Sequence, residues 1–71
     1  MNKINPKKLL NSKWTAERVI NKEKHFAVTE VEFDEDGVVV SCIIEAILSK
    51  RAMPIKWHEL KDSGHWTQGW H

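Results

Sequence analysis

Cys42 and the four histidines, His25, His58, His65 and His71, carry the most reactive side chains in this chain. A cysteine thiolate within reach of a histidine makes a nucleophile, and close-spaced cysteine and histidine pairs hold zinc. Neither arrangement is written in the sequence, which has no C-x-x-C and no H-x-x-x-H pair. Cys42 instead falls within the alternation Val38, Val40, Cys42, Ile44, Ala46 and Leu48, so its thiol is expected in the core. The acidic run Asp34-Glu35-Asp36, followed by Gly37, has a calcium-like look but lacks the downstream glutamate that closes an EF-hand loop. It reads as a solvated turn. Gly37, Gly64 and Gly69 are scattered turn residues that form no phosphate-binding loop. The sequence leads us to expect no enzyme, no metal and no cofactor.

Tryptophan offers a different chemistry, that of contact. Trp14, Trp57, Trp66 and Trp70 flank a β-rich middle, and each brings a large apolar surface with one N–H donor. Such residues either build a core or anchor a partner. For a protein partner the best surface is Trp66, Gln68 and Trp70, because two indoles four positions apart share one face of a strand. For single-stranded nucleic acid the matching residues are Lys13 with Trp14, Lys50 with Arg51, and Lys56 with Trp57, where aromatic faces stack on bases and cations track phosphates. The formal net charge of +1 argues against strong non-specific binding to nucleic acid. A third reading makes all four indoles structural.

Charge is unevenly spread along the chain. Seven basic residues oppose Glu17 and Glu23 between Met1 and His25, whereas Phe26 to Gly37 holds five carboxylates and no basic residue. The two patches either pair within the fold, which is the favoured expectation, or leave a basic face for a ligand.

Those residues must be positioned by a single small domain, since 71 residues leave no room for a second core. A chain of this length buries only about 60% of the surface it exposes when unfolded, which itself favours large indoles in the core. One cysteine permits no intramolecular disulfide. The basic start is followed only by Leu9-Leu10, too short for a secretory h-region, and no stretch reaches the length of a membrane span. A cytoplasmic protein without membrane attachment is the expectation.

Asn5-Pro6 reads as a helix start, asparagine as N-cap and proline at the first helical position, with about one turn to follow. A short extended segment is expected at 13–16 and a polar loop at 17–24. Strand 25–33 changes phase, with Phe26 and Val28 of one parity and Val31 and Phe33 of the other, which predicts a bulge near Thr29-Glu30. Asp34 to Gly37 makes a hairpin turn. The run from Val38 to Leu48 presents one uninterrupted apolar face; residues 43–48 also fit a helical period, but the β-branched Val38, Val39, Val40 and Ile43 favour a strand. Ser49 to Ala52 is the next turn. Pro54 cannot donate to a ladder, so the strand of Met53, Ile55 and Trp57 either lies at a sheet edge or holds the proline at a non-bonded position. One helical turn at 57–61 and a last short strand within 65–70 complete the pattern. The expected fold is mainly β: a small SH3-like partial barrel of four to five antiparallel strands, with a short N-terminal helical turn and a helical turn before the last strand.

Several stretches are also familiar together: residues 5–15, Lys22 to Thr29, Ile44-Glu45-Ala46, Trp57 to Asp62, and Trp66-Thr67-Gln68-Gly69-Trp70. In their order and spacing they resemble a family of small tryptophan-rich bacterial proteins with a domain of unknown function. The resemblance covers nearly the whole chain. It implies that the four tryptophans belong to the defining pattern and that the protein is bacterial and cytoplasmic. It brings no activity, cofactor or catalytic residue, and it does not choose between core and contact.

Overall fold

The computed structural model describes residues 2–71. Five antiparallel strands, β1 (Lys13–Ile20), β2 (Glu23–Phe33), β3 (Val39–Ala46), β4 (Ala52–Pro54) and β5 (Trp66–Gln68), form one open sheet in the order β4-β3-β2-β1-β5. The first four strands follow one another as a meander. A 3-10 turn over Trp57–Lys61 then carries the chain back to pair β5 with β1. This is the mainly β fold expected from the sequence, and its curled open sheet is consistent with a partial barrel. No helix among the described residues is long and apolar enough to cross a membrane.

A second 3-10 turn, Pro6–Lys8, precedes β1, and the Asn5 side chain accepts from the Lys7 backbone N–H at 3.0 Å. The cap stops the turn from fraying and delivers Leu9 to the core. The core is formed by Leu9, Trp14, Ala16, Phe26, Val28, Cys42, Ile44, Ala46 and Leu60.

Two bulges shape the sheet. The first falls at Thr29, where pairing passes from Val28↔Ile44 to Glu30↔Ile43. This is the phase change expected near Thr29-Glu30, and it turns Val31 onto the same face as Phe26 and Val28. The second falls at Val40, between the pairs Glu32↔Ser41 and Phe33↔Val39. It corrects the uninterrupted face expected from Val38 to Leu48. Cys42, Ile44 and Ala46 are buried, whereas Val38, Val40 and Leu48 are exposed and Val39 packs on the core instead. The extra residue shifts the alternation by one.

The loop expected at 17–24 is also corrected. β1 continues to Ile20 through an irregular stretch, its pairing with β2 passing from Thr15↔His25 directly to Ile20↔Glu23. Asn21 and Lys22 then turn the chain with φ of 55° and 63°. Positive φ at both central residues is the signature of a two-residue type I′ hairpin. The Ser49 to Ala52 turn lies slightly earlier than expected: Ala46 N–H donates to Arg51 O, and Lys50 takes the left-handed position with φ 57°.

Both edges of the sheet are short and covered. β4 has three residues and ends on Pro54, which lacks an N–H. On β5 the Asn2 side chain donates to Trp66 O at 2.7 Å, and the His71 ring hydrogen-bonds Gln68 O at 2.8 Å.

Candidate functional site

The sheet curls without closing, because β1 pairs only with β2 and β5, and β4 only with β3. The seam between β1 and β4 opens into a groove of about 450 Å³. Phe26 and Ile44 form its floor, Met53 and Ile55 line one wall, and the half-buried Trp66 lines another. Trp66 meets the Phe26 ring edge-on, with centroids 5.2 Å apart and planes at 84°. Edge-to-face contact fixes the indole while leaving part of its surface free. Arg18 and Ile20 of β1, Arg51, and Glu59 stand around the groove. The sequence missed Arg18 and Ile20 because they lay in a supposed loop. The alternation Trp14, Ala16, Arg18, Ile20 was the available signal.

Glu23 ties the basic turns beside the groove together. Its carboxylate accepts from Ser49 Oγ at 2.6 Å and from the Arg51 guanidinium through Nε at 3.2 Å and a terminal nitrogen. The Ser49 hydroxyl and the Arg51 guanidinium hold this carboxyl below its ordinary range. The unfolded chain therefore takes up the proton more readily than the folded one, so the stabilisation is present above the usual glutamate range and lost as pH falls through the lower folded value. Urea midpoints should drop more between about pH 7 and pH 3 in wild type than in Glu23→Gln. Parallel pH profiles for the two would show that the carboxylate contributes nothing. Asp62 is likewise lowered, by the Gly64 N–H first and the His65 ring second, but it is exposed and screened.

The four tryptophans occupy four different environments. Trp14 is in the core, only 1% exposed, and its indole N–H donates to Ser12 Oγ at 2.9 Å. Trp57 is half-buried, with the His58 ring 4.1 Å from its own and Lys61 Nζ 4.8 Å above it. Trp70 is 43% exposed, donates to Phe26 O at 2.9 Å, and lies under Lys13 Nζ at 4.8 Å.

The expected patch of Trp66, Gln68 and Trp70 is divided by this arrangement. Trp66 stands opposite Ala16 and Gln68 opposite Trp14, on the face that carries the core. Gln68 is spent on a hydrogen bond to Lys3 O at 2.9 Å. Gly69, with φ +85°, then turns the chain, and Trp70 lands beside Lys13 and His25 on the other face. The two indoles do not form one surface.

The residues matched to nucleic acid are also dispersed. Trp14 has no face left for a base, and Lys13 lies over Trp70. Lys50 and Arg51 lie in the β3–β4 turn, separated from Lys13 on β1 by β2 and β3. Lys56 and Trp57 begin the second 3-10 turn. The pairing expected between the basic and acidic segments is absent: the ion pairs among the described residues, Arg51–Glu23 and His65–Asp62, include none of Glu30, Glu32, Asp34, Glu35 or Asp36. β2 carries these acids away from the basic turns instead of folding them back.

Cys42 is buried, and burial pushes its thiol up, so it stays protonated within the core. Among the described residues no group of three or more histidine, cysteine or acidic side chains could hold a metal ion.

A family model for the tryptophan-rich protein family DUF2389 matches residues 12–71, a span that contains all four indoles and every residue of the groove. The chain belongs to this family. Within the DUF2389 match, Trp14 belongs to the core and Trp66 to the groove. No curated protein and no solved structure matches the chain.

Proposed function

We propose that this protein is a small non-catalytic module that binds a protein partner, and that the groove beside Trp66 receives an apolar side chain from it. The observation that carries the reading is the unclosed seam, where a partly free indole and a floor of Phe26 and Ile44 meet solvent. Its volume of about 450 Å³ lies within the ordinary range of ligand sites. The meander, 3-10 turn and return strand support reading the sheet as an SH3-like partial barrel, a scaffold suited to binding. Arg18 and Arg51 at the rim, with Lys50 next to it, favour a partner that flanks its apolar residue with carboxylates. Nucleic acid draws less support, because its candidate residues are scattered and the Trp57 face is already taken by His58 and Lys61.

The test is an amide and indole chemical-shift titration with a peptide holding one phenylalanine among acidic residues. Shifts should cluster on Phe26, Ile44, Met53 and Trp66, and Trp66→Ala should weaken binding by about tenfold or more, as truncating an interface anchor does. The reading fails if an alanine-for-phenylalanine peptide gives the same shifts, or if single-stranded oligonucleotide gives them and the peptide does not.

A further inference from the structure

Five acids without an ion partner gather at one end of β2, and a group of cations stands at the other. The β2–β3 hairpin carries Glu30, Glu32, Asp34, Glu35 and Asp36, every one exposed. On the same hairpin Phe33, Val38 and Val40 are exposed large hydrophobics, Val40 at 61%. At the opposite end, the Glu23 ties to Ser49 and Arg51 hold the β1–β2 and β3–β4 turns side by side. These turns expose Val19, Ile20, Ile47 and Leu48, the last at 80%, among Arg18, Lys22, Lys24 and Lys50. Glu23 is the acid within these turns, and it is buried and paired. The groove opens at this basic end, beside Ile20 and Arg51.

One chain therefore carries two exposed apolar surfaces of opposite charge, at the two ends of the eleven-residue β2. Each has what the other lacks. Neither can satisfy the other within one molecule, since β2 holds them at its two ends.

We propose that the partner is a second copy of this chain: the acidic hairpin of one molecule, led by Phe33, docks on the basic turns and groove mouth of the next. This rests on the groove reading above and names its occupant. Because the two surfaces differ, the contact is heterologous, and repetition gives a chain or a ring instead of a closed two-fold dimer. A hairpin tip offers a small interface, so association should be weak, concentration-dependent and sensitive to salt.

Sedimentation velocity at low ionic strength supplies the test. The mean mass of the wild-type protein should rise with concentration and return to that of the monomer in about 0.5 M salt, where screening is strong. Phe33→Lys removes the docking hairpin and Leu48→Glu blocks the receiving turns; both residues are exposed, so circular dichroism should show the native fold. Each variant alone should remain monomeric. Mixed in equal amounts, they should form a dimer and nothing larger, because one retains the receiving end and the other the docking hairpin. A mixture that stays monomeric, or oligomers indifferent to both substitutions, would falsify the proposal. So would a wild-type protein that stays monomeric yet sediments with phosphatidylserine vesicles through Leu48, which would assign the basic end to a lipid surface. If the wild-type protein stays monomeric while the acidic phenylalanine peptide still shifts Trp66, self-association fails and the groove reading stands. If the peptide fails as well, both fall.

Discussion

Trp14→Ala should cost about 3–5 kcal/mol, the usual range for deleting a large buried aromatic. A chain of 71 residues has roughly 4–10 kcal/mol of total stability at the typical value per residue. The variant should therefore lose about a third of its total stability or more, with a urea midpoint lowered in proportion. The side chain lies at the middle of the sheet, opposite Phe26 on β2 and Gln68 on β5. Its removal leaves a cavity where three strands meet. It also takes away the N–H that donates to Ser12 Oγ, while that hydroxyl still donates to Leu9 O at 2.6 Å. Trp14→Phe should be much milder, because it retains most of the ring volume and loses chiefly the hydrogen bond. Urea titration followed by far-ultraviolet circular dichroism gives the comparison, and a Trp14→Ala midpoint equal to wild type would remove Trp14 from the core.

Leu9→Ala should be the second large effect, at about 2–5 kcal/mol for a fully buried leucine. Leu9 is 0% exposed although it precedes the residues that the family model matches. The residues around it are tied to the sheet as well, with Asn11 N–H donating to Val28 O and Val28 N–H to Ser12 O. Asn5→Ala makes the useful control, since it removes the cap and leaves Leu9 in place, for roughly 1 kcal/mol. Urea midpoints should fall in the order wild type, Asn5→Ala, Leu9→Ala. Equal midpoints for the two variants would mean that the first 3-10 turn contributes its cap and no plug.

Local chemistry was legible where one residue type has one physical use. Asn5-Pro6 announced a cap, Asp34 to Gly37 a turn, and Pro54 an edge. The phase slip between Val28 and Val31 disclosed its bulge because both sides of the slip are apolar. The bulge at Val40 stayed hidden for the opposite reason: three consecutive valines show no phase. The Asn21-Lys22 turn was obscured because lysine stands where glycine usually marks such a hairpin, and four charged residues around it looked like a loop. With that hairpin went Arg18 and Ile20, and with them half of the groove rim. The site itself was only partly legible, since one of the three residues between Trp66 and Trp70 is Gly69, whose positive φ sends the two indoles to opposite faces. The charge asymmetry was visible at once. Whether its halves meet depended on the direction of β2, which composition does not encode.

The blunted margins of the sheet have a consequence for how the protein fails under stress. Growth of a fibril needs an open row of backbone donors and acceptors as a template. Pro54 interrupts that row on β4, the bulge at Val40 distorts it where β3 outruns β4, and the Asn2 and His71 side chains occupy the carbonyls of β5. Native molecules crowded together thus meet few free backbone groups on β4 and β5 from which cross-β could grow. Their contacts must run through side chains, where salt and dilution can undo them.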